Sequence, residues 1–113
     1  MAEPRLTFHL APRDRWERWP GGAPYESPSL EAEGFIHCTD GAANMVATAN
    51  RFYRDDPGDF VVMTIDLERT GSPWRIDDHG KPFPHIYGPI DRSAILAVRP
   101  FPRDREGGFL SFE

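Results

Sequence analysis

Hydrophobic and polar positions alternate at the start of the chain. In "RLTFHLA" (5–11), Leu6, Phe8 and Leu10 fall on one side and Thr7 and His9 on the other, which predicts a half-buried strand. "PRDRWERW" (12–19) then offers proline at a first helical position and Trp16 and Trp19 three apart, predicting a short helix. "PGGAPYESPS" (20–29) reads as a turn-rich loop, and "SLEAEG" as a helical turn ended by Gly34. In "FIHCT" (35–39), Phe35, His37 and Thr39 share one face of a second strand, with Ile36 and Cys38 on the other. The clearest helix lies in "TDGAANMVATANRFYRDD". Its apolar stripe is Ala42, Met45, Val46, Ala49, Phe52 and Tyr53, and Thr39 or Asp40 is the expected cap.

Beyond the breaker "DDPGD", "FVVMTIDL" (60–67) is apolar on both faces and predicts a central strand. "WRIDD" reads as a short edge strand and "HGKPFP" as a loop whose prolines enforce extended geometry before them. "HIYG" resumes extended structure with His85 and Tyr87 on one face, "SAILAVRPF" (93–101) is the last strong strand, and the tail is loop. Strands outnumber helices, so the class is α+β: a compact, bent, mostly antiparallel sheet carrying a few helices. At 113 residues the expectation is one domain over 1–113.

Charge and cysteine content narrow the functions. A formal charge of −5 argues against general nucleic-acid binding. Cys38 is the only cysteine, which rules out an internal disulfide. Neighbours on a strand face opposite sides, so His37 is badly placed to activate Cys38, which reads as apolar filler. Signal-peptide and membrane-span patterns are lacking, so a cytoplasmic protein is expected, with no membrane partner. Histidines and carboxylates such as Asp40, Asp77 and Asp78 have the chemistry of metal ligands but no recognised spacing, and no metal site is expected.

The candidate chemistry lies in the strand histidines. His9, His37 and His85 each need a polar partner if buried, and three of them predict a shared polar pocket. Its occupant would be a small-molecule or nucleotide-like ligand. Thr39, Tyr87 and Trp16 are the further ligand-contacting candidates.

The pair "GFIHCT" and "FPHIYG", with "LTFHL" upstream and "Y…PSL" between, resembles bacterial domain-of-unknown-function family 952 from about Leu6 to about Pro100. That resemblance implies a fold similar to the ADP-ribosyltransferases and NAD as the cofactor. It implies that His9 bonds the nicotinamide-side ribose, that Thr39 is the small hydroxyl residue of the second strand, and that His37 faces the same cleft. The chain departs from the pattern at the third element, where a glutamate is usual and "PHIYG" supplies His85 and Tyr87. Glu106 and Glu113 fall in the tail, and Glu33 precedes the wrong strand. Three readings follow: an ADP-ribosyl-type transferase or hydrolase with His85 as acid or base, a binding module without turnover, and a structural domain whose histidines satisfy one another.

Overall fold

The computed structural model describes residues 3–113. It has six strands, three α-helices and two single 3-10 turns among those residues. The expected single bent sheet is instead two three-stranded antiparallel sheets. The first joins β1 (Leu6–Pro12), β3 (Phe60–Asp66) and β6 (Ile95–Pro100), in the order β1-β3-β6. The second joins β2 (Ile36–His37), β5 (His85–Ile86) and β4 (Trp74–Arg75), in the order β2-β5-β4. As predicted, β3 is central and β4 lies at an edge. Between the sheets runs one isolated bridge, Phe8 to Thr39, whose two backbone hydrogen bonds measure 3.0 and 2.8 Å.

Strand periodicity divides the apolar side chains between two cores. From β3, Val61, Met63 and Ile65 join Tyr25, Ile36, Ile86 and Ile90, while Phe60 and Val62 join Met45, Ala49, Phe101 and Phe109. The same division governs β1, where the register sets His9 opposite Met63 and Thr7 opposite Ile65. Thr7, His9 and Ala11 are consequently its more buried residues, and Leu6 is 44% exposed. The strand is covered on both sides. Its polar face is the deeper one because the Ile36 and Ile86 side of the second sheet packs into the same core.

The helices follow their sequence signals in outline, with corrections: Pro12, expected as a first helical residue, ends β1 and precedes the first helix, and Pro28, expected in a loop, opens the second. Helix α1 spans Arg13–Arg18, and α2 spans Pro28–Glu33 with Pro28 in its first turn and Gly34 as a left-handed C-cap, φ 88°. Helix α3 (Ala42–Phe52) buries Met45 and Ala49, yet its N-cap is Gly41, with no side-chain cap from Thr39 or Asp40. The Asp40 carboxylate is engaged elsewhere, taking two guanidinium N–H groups of Arg5 at 3.0 and 2.7 Å. Phe52, assigned to the apolar stripe, is 65% exposed.

Gly34 turns the chain from α2 into β2. Nothing lies within 4 Å of where its side chain would stand, so Gly34→Ala tests backbone strain alone. We expect chemical denaturation to show a loss of about 1 kcal/mol, the usual cost of a left-handed L-residue.

Candidate functional site

The Phe8–Thr39 bridge sets β1 beside β2 and brings His9 against the backbone of His37. The His9 Nδ1 lies 2.6 Å from the His37 carbonyl oxygen. A carbonyl only accepts, so Nδ1 carries the proton and Nε2 of the neutral ring is a bare lone pair. That Nε2 is buried and has no hydrogen-bond partner among the described residues. Burial pushes the pKa of His9 down to about 4, against the opposing effect of the His37 carbonyl. His9 is therefore a neutral hydrogen-bond acceptor at physiological pH.

His37 and His85 face one another across the β2–β5 ladder, directly paired in register, with ring centroids 5.3 Å apart. A separate carboxylate orients each ring. The His37 Nε2 is 2.9 Å from Glu33 Oε2, and the His85 Nδ1 is 2.8 Å from Asp77 Oδ2. Phe35 stacks on His85 at 4.2 Å and meets the edge of His37 at 4.9 Å. Asp77 also accepts from the Tyr87 hydroxyl and forms an ion pair with Arg75, whose Nε lies 2.6 Å away. Tyr87, then His85, then Arg75 hold the Asp77 carboxyl below the usual carboxylate range.

Two adjoining cavities flank this seam. One, of 390 Å³, is lined by His9, Ser27, Ser29, Glu33, His37 and Thr39 among others. The other, of 560 Å³, has His37, Thr39, Phe52, Asp78, Phe83 and His85 in its wall. His37, Thr39, Thr48 and Tyr53 belong to both. The three histidines thus gather along one seam rather than around one hollow: His9 serves the first cavity, His85 the second, and His37 both.

The remaining sequence candidates separate. Thr39 is at the seam. Tyr87 lies outside both cavity walls, beneath the Arg75 guanidinium, and touches the site through Asp77 and through Phe35, 5.6 Å away between ring centroids. Trp16 is placed elsewhere, edge-on to Tyr25 with the Arg92 guanidinium 4.4 Å above its ring. Cys38 is 2% exposed and burial raises its thiol pKa, so it supplies no thiolate. Among the described residues, no group of three or more His, Cys, Asp or Glu side chains is arranged to hold a metal ion.

Sequence reasoning set Glu33 aside as preceding the wrong strand and undervalued Asp77. Glu33 stands four residues before His37, but the intervening Gly34 ends α2, so their meeting depends on the left-handed turn and not on helical spacing. Asp77 reaches His85 across the β4–β5 ladder, a pairing that only register reveals.

The fold and site describe an α+β protein of two small antiparallel sheets, with carboxylate-backed histidines along their junction. The family model "Protein of unknown function (DUF952)" matches residues 10–98, and the chain belongs to that family. It is similar in fold to CC0527 from Caulobacter crescentus. The crystal structure of that protein shares 24% identity at a TM-score of 0.75, over 94% of each chain. Its solution NMR structure gives 0.68 over 92% of this chain and 90% of that one. No curated protein matches the chain. No helix among the described residues is long and apolar enough to cross a membrane.

The buried His9 makes stability depend on pH. In the unfolded chain its imidazole titrates near 6.5, whereas in the fold it stays neutral down to about 4. Between these values the unfolded state binds the extra proton, so acid favours unfolding. We expect this group to contribute stability fully above pH 6.5 and to lose about 3 kcal/mol of it as pH falls to 4. Urea titrations over that range should show a flatter profile for His9→Gln than for the wild-type protein.

Proposed function

We propose that the chain is an NAD-using enzyme of the ADP-ribosyl-transfer or hydrolysis type, with an ADP-ribosyltransferase-like fold. The 390 Å³ cavity takes the ribose-bearing end of the dinucleotide. Carrying the reading is the bare, neutral Nε2 of buried His9, in a residue that lines the same cavity as the Glu33–His37 pair. A buried acceptor without a partner is costly, and a ribose hydroxyl has the right chemistry to satisfy it, reaching Nε2 as the cavity wall beside it opens. Ser27, Ser29 and Thr39 add hydroxyl groups to that wall.

Cleavage of the bond between ribose and nicotinamide passes through an oxocarbenium-like state, which a nearby anion stabilises. Glu33 supplies that anion, and His37 fixes its orientation through the 2.9 Å contact. The sharing of His37 and Thr39 by both cavities supports a donor chamber and an acceptor chamber meeting at one wall. A binding module without turnover is favoured by one observation: the Glu33 carboxylate is already engaged by His37.

Thermal-shift titration with NAD and ADP-ribose, paired with chromatographic detection of nicotinamide, tests the proposal. Wild-type protein should be stabilised by both ligands and should release nicotinamide from NAD. Glu33→Gln should keep the NAD shift and lose turnover by roughly 100-fold or more. His9→Gln should weaken NAD about tenfold, the scale of one buried hydrogen bond. Stabilisation without nicotinamide would establish the binding module, and no shift with millimolar NAD would overturn both readings.

A further inference from the structure

The second cavity carries a set of groups that donor binding leaves unused. His85 lines it, and its Nδ1 donates to the Asp77 carboxylate, so the nitrogen left to act as a base is Nε2. Asp77 is held by two donors, His85 and the Tyr87 hydroxyl, and by an ion pair with Arg75. Phe35 stacks on the His85 ring, whose side chain is only 17% exposed. An imidazole whose far nitrogen is anchored to an ionised carboxylate, with a packed face and one free nitrogen, has the arrangement of a general base.

We infer that His85 is the base that deprotonates a hydroxyl acceptor, water or an alcohol, in the second cavity, with Asp77 as its positioning residue. The inference rests on the NAD reading above and names the acceptor class for it. The acceptor O–H gives its proton to His85 Nε2 as its oxygen bonds the ribose anomeric carbon. The bond from that carbon to the pyridinium nitrogen breaks, and its electron pair leaves on neutral nicotinamide. His85 then returns the proton to solvent, so NAD and an alcohol yield the O-glycoside, nicotinamide and one proton.

Ionisation and wall charge both select a hydroxyl over an anionic nucleophile. Carboxylate and phosphate acceptors are already ionised near neutral pH and need no base. The wall of the second cavity carries Asp78, and Asp77 stands behind His85, so an anionic acceptor would be repelled there. Arg75 offsets that charge only in part, being committed to Asp77 with its guanidinium over the Tyr87 ring. Phe52 and Phe83 form the apolar part of the wall, suited to the carbon skeleton of an alcohol.

Chemical rescue separates this role from a structural one. NAD turnover by the full chain is followed as nicotinamide release, with water alone and with added methanol, for wild type, His85→Ala and Asp77→Asn. Wild type should form ADP-ribose in water and also the methyl glycoside when methanol is present if alcohols are accepted; ADP-ribose alone in both would identify water as the acceptor. His85→Ala should retain the NAD thermal shift, lose turnover about 100-fold, and recover part of it on addition of free imidazole. Asp77→Asn should lower the rate less, without imidazole rescue. Full activity in His85→Ala, or a loss that imidazole does not restore while the NAD shift persists, overturns the inference and leaves the NAD reading standing. A wild-type protein without NAD shift or turnover overturns both.

Discussion

Two hydrogen bonds between Phe8 and Thr39 hold the arrangement together. Among the described residues they are the only backbone ladder contact between a strand of the first sheet and the chain leaving β2, and they fix where the two cores meet. Everything at the seam is placed from them. His9 follows Phe8 and reaches the His37 carbonyl, His37 lies two residues before Thr39, and α3 begins just beyond it. Polar backbone at a sheet junction must be paired or hydrated. Here a side-chain imidazole contributes to that pairing, and its second nitrogen is left bare.

The electrostatics of the three histidines differ because their surroundings do. His9 lies between strands, deep enough that protonation is suppressed. His37 and His85 stand on the cavity side of a two-residue ladder, each with its own carboxylate. Burial tunes the first ring as an acceptor, and a charged partner orients the other two. One residue type therefore serves two purposes within a short span, and the division follows from which face of which strand each ring occupies.

Periodicity made much of the fold legible. The doubly apolar run at 60–67 announced a central strand, the proline-led segment at 12–19 announced α1, and "SLEAEG" announced α2 and its end at Gly34, though Pro28, read as loop, opens that helix. The alternation in 5–11 gave a strand but misjudged its depth, because period alone does not say that a second sheet covers the polar face. The division into two sheets was hidden too, since β2, β4 and β5 are two residues each, too short to carry a period. At the site the histidines stood out as polar residues in apolar strands. Glu33 and Asp77 did not, because a left-handed glycine and a cross-strand register bring them in, and neither leaves a mark in local spacing. Trp16 looked like a ligand contact, but Tyr25 and Arg92 account for its surroundings.

Such short strands would be free to slide were it not for the prolines before β5. The amides of Cys38 and Asp40 donate to the carbonyls of Pro84 and Pro82, at 2.9 and 2.8 Å. Neither proline has an amide proton to return. A shift of β5 by one residue would set those protonless nitrogens opposite strand carbonyls and turn the His85 imidazole to the other side of the ladder, away from His37. "PFPHIY" thus works as a ratchet for alignment. Loops elsewhere in the molecule can lengthen or shorten over evolution, whereas gain or loss of one residue between Pro82 and His85 would dismantle the facing histidine pair.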